Sequence, residues 1–310
     1  AGLQTITFEG TSPTIQNFSG GATVSNSMNF VVSSSSILDM GTSSVTGGGS
    51  FTTNNLSELR LGSLDSDGPL QTTGLGGNIQ VSGTQTYSSG THIVFNGGSS
   101  QSIGSDYPSN TGINLIIENA NNVSLVGDVI IGGDLTLSSG NLIVGTNQLT
   151  LQGSITPNAN FIDVGPASDI VIYGTSAFGT FPFTGAETLN NFTFDRSSQT
   201  VDFEADITIN GELALTNGSL DFSGQTLTLT GTKSGSGSLL ANSSSTLTIT
   251  GSGALGTVQF GVSGNTLGTL NLNRTGSGSV TSGSSLNIGT ALNLTNGDFN
   301  NTGQTLTMIN

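Results

Sequence analysis

Residues 207–230 read ITINGELALTNGSLDFSGQTLTLT, and this segment indicates the fold of the chain more clearly than any other. Leucine occupies every second position over residues 213–215 and again over residues 226–230, which is the period-2 pattern of a half-buried strand. Asn217 and Gly218 separate the two alternating segments, and both residue types tolerate the positive φ of a tight turn. The segment therefore predicts short strands joined by frequent corners, with no helical periodicity.

The same pattern recurs along the chain with a period of about 77–79 residues, as three independent sets of landmarks indicate. The sets are Leu135, Leu213 and Leu292; Ile93, Ile170 and Leu247; and Leu115, Phe192 and Leu270. At about 20–26 residues per turn, each period is expected to hold three or four turns of a stacked structure.

One continuous array of repeats, each about 78 residues long, is therefore expected. The repeats are residues 1–91, 92–168, 169–245 and a truncated 246–310. The first repeat is divergent. Matching segments of the first and second repeats are separated by one period plus about 26 residues, so we predict an inserted turn near residues 45–75.

Composition favours a narrow interior over a broad core. The 310 residues include 47 Gly, and hydrophobic residues reach only 33% of the chain. Stacked turns that each pair with the next need only small apolar interior columns, so the sequence predicts an all-β, elongated β-solenoid (parallel β-helix). The competing architecture is a string of β-sandwiches of about 77 residues each, which the absence of Trp and Cys and the even spacing of landmarks disfavour.

Charge and residue usage exclude several classes of function. With four Lys plus Arg and a net charge of −15, the chain cannot neutralise a run of phosphates, so nucleic acid is not an expected partner. No apolar stretch approaches the ~20 residues of a membrane helix. Zero Cys and one His remove zinc fingers, iron–sulfur clusters and thiol nucleophiles. We expect a non-enzymatic, extracellular protein, and Ala1-Gly-Leu3 carries no signal peptide, so we expect a mature product or a fragment.

One acidic group is a candidate metal or acid–base site. Asp202, Glu204 and Asp206 alternate with Phe203 and Ala205, so on a strand the three carboxylates would face one way. Grouped carboxylates bind Ca²⁺ or supply an acid–base pair, which makes Ca²⁺ the one cofactor with candidate ligands. Only one of these acids recurs in the sister repeats, as Asp128, and the preferred interpretation is a solvated acidic face with no cofactor.

Other polar residues carry weaker signals. Residues 65–68 (DSDG) resemble half of an EF-hand loop but lack the closing Glu, so a tight turn is expected, and His92 has no partner that would make a metal site or a triad. Arg196 and Arg274 hold matching positions in the repeat and are expected to pair with Asp195 or neighbouring acids. If Arg196 and the three carboxylates converged in a cleft, a polysaccharide-cleaving enzyme would be indicated.

Threonine pairs suggest a second class of function. The Thr-x-Thr segments at residues 226–230 and 246–250 are about 20 residues apart, the length of one predicted turn. They are therefore expected to stack on adjacent turns, as in an ice-binding face. The matching segment at residues 148–152 has Gln at two of the three positions, which interrupts the pattern. Polysaccharide binding would normally use exposed aromatic rings, but there is no Trp, and most Phe residues are predicted to face inward, such as Phe192, Phe194, Phe222 and Phe260.

The two ends of the array have the pattern of uncapped strands. Thr5, Ile6 and Phe8 lie at one end, and Thr305, Leu306 and Thr307 lie at the other. Solenoid ends without a polar cap expose unpaired strand edges. These residues are therefore predicted to be self-assembly ends that stack head to tail on another copy or continue into further repeats.

The sequence also resembles a family. The segments Gly62-Ser-Leu-Asp-Ser-Asp-Gly68, Gly77-Asn-Ile-Gln80, Gly83-Thr-Gln-Thr-Tyr87 and Val94-Phe-Asn-Gly97, with the blocks at residues 213–218 and 292–297, are similar to the long repeat arrays of secreted Bacteroidota proteins. The resemblance covers nearly the whole chain. It implies a cell-surface adhesin, stalk or matrix fibre, often exported by the type IX secretion system, and it implies no catalytic residues.

The prediction for function is a non-catalytic extracellular structural or adhesive rod on a bacterial surface. Its expected partners are copies or further repeats of the same protein, and surface polysaccharide as a ligand. The alternatives are an ice- or polysaccharide-binding β-solenoid and, third, a polysaccharide-cleaving β-helix.

Overall fold

The fold is all-β in every residue that the computed structural model describes, namely 4–10, 14–24, 26, 28–71, 76–109 and 112–309. Thirty-six strands and no helix occur in these ranges, and the strand pairings between successive turns are parallel. The predicted β-solenoid is therefore confirmed. The chain divides into two compact units, Ala1–Phe161 and Ile162–Asn310. Within the described ranges there is no helix with the length and apolar character of a membrane span.

The first unit contains nineteen strands in the described residues. They are β1 (Gln4–Phe8), β2 (Ile15–Asn17), β3 (Gly21–Val24), β4 (Met28–Val32), β5 (Ile37–Asp39), β6 (Ser44–Gly47), β7 (Ser50–Thr53), β8 (Glu58–Leu61), β9 (Ile79–Val81), β10 (Gln85–Tyr87), β11 (His92–Phe95), β12 (Gln101–Ile103), β13 (Asn114–Glu118), β14 (Val123–Leu125), β15 (Val129–Ile131), β16 (Leu135–Ser139), β17 (Leu142–Gly145), β18 (Gln148–Leu151) and β19 (Ile155–Thr156).

The longest stack of the first unit runs β2-β5-β8-β11-β13-β16-β19. A regular turn of this stack carries Leu115 to Leu135, whereas the turn that starts at Leu59 ends only at Ile93 and is therefore longer. The extra residues lie between β8 and β9 and fold back on the start of β9, where the Gln71 N–H donates to the Ile79 carbonyl at 2.9 Å. The residues that the sequence assigns to an inserted turn thus enlarge one turn, while β6, β7 and β8 are regular strands; residues 72–75 lie outside the described residues.

The second unit contains the remaining seventeen strands. They are β20 (Ile162–Val164), β21 (Asp169–Tyr173), β22 (Gly179–Phe181), β23 (Glu187–Leu189), β24 (Asn191–Phe203), β25 (Ile207–Ile209), β26 (Glu212–Asp221), β27 (Thr226–Leu229), β28 (Thr232–Ser234), β29 (Ser238–Ala241), β30 (Thr246–Ile249), β31 (Gly256–Val258), β32 (Phe260–Asn273), β33 (Ser279–Ser282), β34 (Leu286–Asn296), β35 (Asp298–Asn300) and β36 (Leu306–Met308).

Three stacked faces make up the second unit. The first face contains β21, the starts of β24 and β26, then β28, β31, β33 and β35. The second face contains β22, the ends of β24 and β26, then β29, the start of β32, the start of β34 and β36. The third face contains β23, β25, β27, β30 and the ends of β32 and β34. The long strands β24, β26, β32 and β34 each bend through a corner from one face to the next.

The sequence repeat and the structural turn are out of phase in the second unit. From Ile170 the register passes through Phe192 and Leu213 to Lys233, which completes three turns on the first face. The remaining residues of the period cross the second face and reach Leu247 on the third face. One period of the sequence therefore covers three complete turns and about two-thirds of a fourth, and positions that match in the repeat lie on different faces.

Columns of aliphatic and aromatic side chains fill the interior. On the third face, Ile207, Leu227, Leu247 and Leu270 occupy one register position on successive turns, and each is at most 2% exposed. Burial of each such side chain contributes roughly 2 kcal/mol, so regular columns stabilise a narrow core. The predicted inward positions of Phe192, Phe194, Phe222 and Phe260 are confirmed, because all four side chains are buried.

Candidate functional surfaces

Acidic and amide side chains at the corners cap backbone groups of the neighbouring turn. The Asp134 Oδ1 atom accepts from the Ser154 N–H at 2.7 Å, and Asp206 Oδ1 accepts from the Thr226 N–H at the same distance. The two residues of each pair lie on successive turns. Corner backbone groups have no strand partner, so these caps satisfy donors that would otherwise lack one. Several carboxylates of the chain are thus committed to the scaffold.

The predicted acidic site spreads over a corner. Asp202 lies in β24 and is half-buried, whereas Glu204 and Asp206 follow the strand, Glu204 exposed and Asp206 at the corner. Glu204 Oε1 accepts from the Thr180 hydroxyl at 3.5 Å, and Asp206 serves as a corner cap. No group of three or more His, Cys, Asp or Glu residues is arranged to hold a metal ion in the described part of the chain.

The stacked partner of Asp202 was not evident from the sequence. Asp202 is in register with Asp221 on the next turn, so two carboxylates are stacked on the second face. Burial raises the pKa of Asp202, and the charges of Asp221 and Glu204 raise it further. Alternation along the strand is visible in the sequence, but the pairing with Asp221 depends on the register between turns.

Arg274 is buried and binds backbone carbonyls at a corner of the second unit. Its guanidinium donates from Nε to the Gly253 carbonyl at 2.8 Å, from Nη1 to those of Thr230 and Thr250, and from Nη2 to those of Gly231 and Ser252. The side chain is 1% exposed, and burial lowers the pKa of Arg274. The prediction of an acidic partner is wrong for Arg274, because corner carbonyls that point inward take that place.

Arg196 occupies the matching repeat position and is also buried. Its Nη1 donates to the Ser176 carbonyl, and its guanidinium lies over the Phe178 ring, 4.9 Å from the centroid. The contact with the ring face is a cation–π interaction. A fully buried Arg196 contributes to the interior and does not line a cleft beside Asp202.

Other buried side chains at corners also donate hydrogen bonds, and the sequence analysis did not identify them. Lys233 Nζ donates to the Gly235 and Gly237 carbonyls at 3.0 and 3.1 Å, and burial lowers the pKa of this lysine. In the first unit, Asn119 Nδ2 donates to Gln101 Oε1 at 2.9 Å, and Gln101 Nε2 donates to two carbonyls of an earlier turn. Asn119 stands one period before Arg196, so the shared position of Asn119, Arg196 and Arg274 was the only sequence signal for this role.

A charged cluster lies on the outside of the first unit. Arg60 Nη1 is 2.7 Å from Glu58 Oε1, Nε is 3.7 Å from Asp39 Oδ2, and Nη2 contacts Glu118. Burial lowers the pKa of Arg60, but hydrogen bonds and charge interactions with the two glutamates outweigh this, so the pKa is raised overall. The cluster joins β5, β8 and β13.

His92 of β11 is in register with Glu58 and is half-buried.

The inserted segment begins with a tight turn, as predicted. Asp65 accepts the Asp67 N–H through Oδ1 at 3.0 Å and the Gly68 N–H through its carbonyl at 3.1 Å. These are contacts of an Asx-type turn and use the same oxygens that a cation would need. The local sequence DSDG therefore encodes backbone geometry.

A threonine face is present on the third face of the second unit. Thr188, Thr208, Thr228 and Thr248 occupy one register position on four successive turns, and Thr226 and Thr246 pair beside them. The predicted stacking of the two Thr-x-Thr segments is confirmed. A shallow groove of about 260 Å³ runs beside these residues and includes Glu187 and Asp206. Burial and the charge of Asp163 raise the pKa of Glu187.

The predicted self-assembly residues lie in or beside strands at the edges of their sheets. Thr5, Ile6 and Phe8 belong to β1, which is the outermost strand of the stack β1-β4-β7-β10. Leu306 and Thr307 belong to β36, which pairs with the start of β34, and Thr305 precedes it. Both edges carry apolar side chains with partial exposure, such as Ile6 and Met308.

No protein family, curated protein or solved structure matches the chain in the comparisons with known proteins. The class that the structure defines is a parallel β-solenoid.

Proposed function

We propose that the chain is a non-catalytic structural element of a bacterial surface or extracellular matrix, as a stalk segment or fibre subunit. The observation that carries this proposal is how the polar groups are used: corner acids, amides and buried cations bind backbone groups of the same scaffold. Three of the four Lys and Arg side chains, Arg196, Lys233 and Arg274, are held by backbone carbonyls in this way. The abundance of Ser, Thr and Asn, the net charge of −15 and the resemblance to secreted repeat arrays support an extracellular location.

The arrangement suits a mechanical role. Parallel strands stack at intervals of about 4.8 Å, and the strands of each turn pair with those of the turns next to it, so the stability of such a solenoid is distributed along the stack. A chain of this type resists force turn by turn. Loss of one turn leaves the next turn as a new edge.

Single-molecule unfolding tests the proposal. The chain is held by handles at its two ends and stretched, and we expect successive steps that each release one turn of about 20 residues. Each step would lengthen the tether by about 7 nm, since an extended residue spans about 3.5 Å. Release of a whole unit in one low-force event would contradict the proposed mechanical role.

The contacts of the acidic group give little support to a polysaccharide-cleaving enzyme. Such a mechanism would need Arg196 beside Asp202, Glu204 and Asp206, but the arginine is buried and Asp206 caps a backbone N–H. A substrate that bound Arg196 and Asp206 would have to displace the contacts that these two side chains make within the protein.

The threonine face supports a second candidate, binding of ice or of a neutral polysaccharide. Thr188, Thr208, Thr228 and Thr248 form a regular array of hydroxyl and methyl groups with the spacing of stacked strands, about 4.8 Å. Thermal hysteresis and ice recrystallisation should both be measured, together with binding to a panel of polysaccharides. If the face is functional, Thr228→Asp abolishes the effect, whereas the control Thr216→Asp, at an exposed position of β26, retains it. Equal behaviour of the two variants would reject this candidate.

A further inference from the structure

The groove on the third face lies where the strands of that face begin. Three successive turns contribute to it, through residues 186–188 of the first, 206–208 of the second, and 226 and 228 of the third. Its volume is about 260 Å³. Since each water molecule occupies about 30 Å³, the groove has room for about nine waters, a volume that accommodates one sugar ring.

Glu187 brings a carboxylate to an aliphatic position of the turn. It begins β23 and is in register with Ile207 and then Leu227, which are both buried. Packing of the column does not call for an acid here, because the following turns use aliphatic side chains. The Glu187 N–H donates to the Asp206 carbonyl at 3.0 Å, so two acids from adjacent turns meet at the same groove.

The described residues form no ion pair at this end of the groove. Every ion pair among them involves Arg60 of the first unit. The three cations of the second unit are buried and donate to backbone carbonyls. Burial and the charge of Asp163 raise the pKa of Glu187, as expected for acids that lie near one another. A positively charged group of a ligand would therefore be stabilised here.

Threonine side chains line the rest of the groove. Thr188, Thr208 and Thr228 are in register on three successive turns, about 4.8 Å apart, and Thr226 lies on the same side of β27 as Thr228. Each hydroxyl can donate and accept a hydrogen bond, and each methyl group offers an apolar contact. A sugar ring has the matching chemistry, with hydroxyl groups at its edge and C–H groups on its face.

We propose that the groove binds amino-sugar units of a cationic polysaccharide. The ammonium group lies between Glu187 and Asp206, and ring hydroxyls exchange hydrogen bonds with the threonine row. Asp206 Oδ1 caps the Thr226 N–H, but the carboxylate has a second oxygen that can accept from the ligand. Hydrogen bonds between ammonium and carboxylate groups are charge-assisted and about twice as strong as neutral ones.

The inference goes beyond the structural role and does not require it. It also differs from the second candidate function, because the ligand must carry a positive charge, which ice and a neutral polysaccharide lack.

Other cations match the groove less well. Calcium prefers about six to eight oxygen ligands, and the described part of the chain has no group of three or more His, Cys, Asp or Glu residues that could hold a metal ion. A lysine-rich peptide or a linear polyamine would neutralise the carboxylates but has no hydroxyls for the threonine row. The net charge of −15 attracts any polycation, so the groove must supply the preference for a sugar.

Calorimetric titration of the unmodified chain tests the ligand class. The probe is a glucosamine oligosaccharide, at a pH below the pKa of its amines and above those of the carboxyl groups. The matched ligand is the N-acetylglucosamine oligosaccharide of the same length, in which acetylation removes the positive charges. We expect the amine form to bind at least about tenfold more tightly. Equal affinities, tighter binding of the acetylated form, or no binding of the amine form would overturn the proposal.

A pair of charge variants locates the site. Glu187→Gln keeps an acceptor for the Thr184 hydroxyl but removes the charge, and it should weaken binding of the glucosamine oligosaccharide by about tenfold. The control is Glu212→Gln, an exposed position of β26, which changes the net charge equally and should change the affinity by less than about twofold. Circular dichroism would establish that both variants fold. Equal weakening would show general attraction to an acidic chain and reject the groove.

A third variant separates a sugar from other amines. Thr208→Val replaces one hydroxyl by a methyl group and should weaken binding of the glucosamine oligosaccharide by about fivefold, while binding of spermine, a linear polyamine, stays unchanged. The same effect on both ligands, or none on the oligosaccharide, would refute recognition of the sugar. If no oligosaccharide binds but single chains unfold stepwise, the groove proposal fails and the structural role stands.

Discussion

Arg274→Met is the most informative single perturbation of the scaffold. Methionine has a similar length but no donor, so the variant removes five hydrogen bonds to the carbonyls of two earlier turns, at residues 230–231 and 250–253. A hydrogen bond to a charged group contributes about 1.5–3 kcal/mol, but the five do not add, since burying the guanidinium itself costs free energy. Without the guanidinium, several buried carbonyls have no donor, and each unsatisfied group costs about 1–3 kcal/mol, so we expect a total loss of about 3–5 kcal/mol after partial relaxation.

Two further variants separate the donors from the charge. Arg274→Lys keeps the charge, and Lys233 shows that a buried lysine at a corner reaches two carbonyls, so a loss of about 2 kcal/mol is expected. Arg60→Met changes the net charge by the same amount as Arg274→Met but removes only an ion-pair cluster on the outside of the first unit, with an expected loss of about 1 kcal/mol.

Urea unfolding followed by circular dichroism gives the free energies, and hydrogen exchange locates the effect. All five carbonyls that Arg274 binds lie in the second unit, so the loss of stability in Arg274→Met should begin there. Amides near residues 230–231 and 250–253 should lose protection first. A loss below about 1 kcal/mol for Arg274→Met, or the same loss as for Arg60→Met, would refute the assignment of Arg274 as a carbonyl clamp.

Two more predictions concern a glycine corner and a stacked acid pair. Gly218 and Gly224 have φ values of 84° and 85°, but an added Cβ would lie 2.4 Å from the Arg196 carbonyl oxygen at Gly218 and would contact nothing within 4 Å at Gly224. Gly224→Ala should therefore cost about 1 kcal/mol of backbone strain and Gly218→Ala about 3 kcal/mol or more, measured by thermal unfolding, and equal losses would contradict the contact. The pKa of Asp202 is raised in the fold by burial and by Asp221, so its charged form destabilises the fold at pH above the raised pKa and the penalty disappears below the unfolded value. Asp202→Asn should accordingly stabilise the second unit by about 0.5 kcal/mol at pH 7 and leave it unchanged at pH 3, and stabilisation at both values would show another cause.

Much of the local structure could be predicted from residues 207–230 and their counterparts. The alternation in β27 and β30 indicated the strands, their buried sides and their separation by one turn, and the observed register Thr226↔Thr246 follows from it. Alternation is a property of neighbouring residues, so it needs no knowledge of the rest of the chain. The tight turn at Asp65 was predictable for the same reason.

The partners of the polar side chains were harder to predict from the sequence, because the backbone at the corners is irregular. Nothing in the residues around Arg274 indicates that the corner turns several carbonyls inward, so an acidic partner was the natural expectation. Asp202 was grouped with Glu204 and Asp206, which are near in sequence, whereas its stacked neighbour is Asp221. In both cases the partner comes from another turn.

Short-range sequence patterns were enough to establish a repeat-built, all-β solenoid with apolar columns inside, because alternation and glycine corners act over a few residues. Which residues share a face emerged from the folded chain alone. The register between turns depends on the length of every corner, so Ile170 and Leu247 match in the repeat and yet lie on different faces. The threonine face, the stacked acids Asp202 and Asp221 and the carbonyl clamp at Arg274 all depend on that register, since each is made by residues brought together from successive turns.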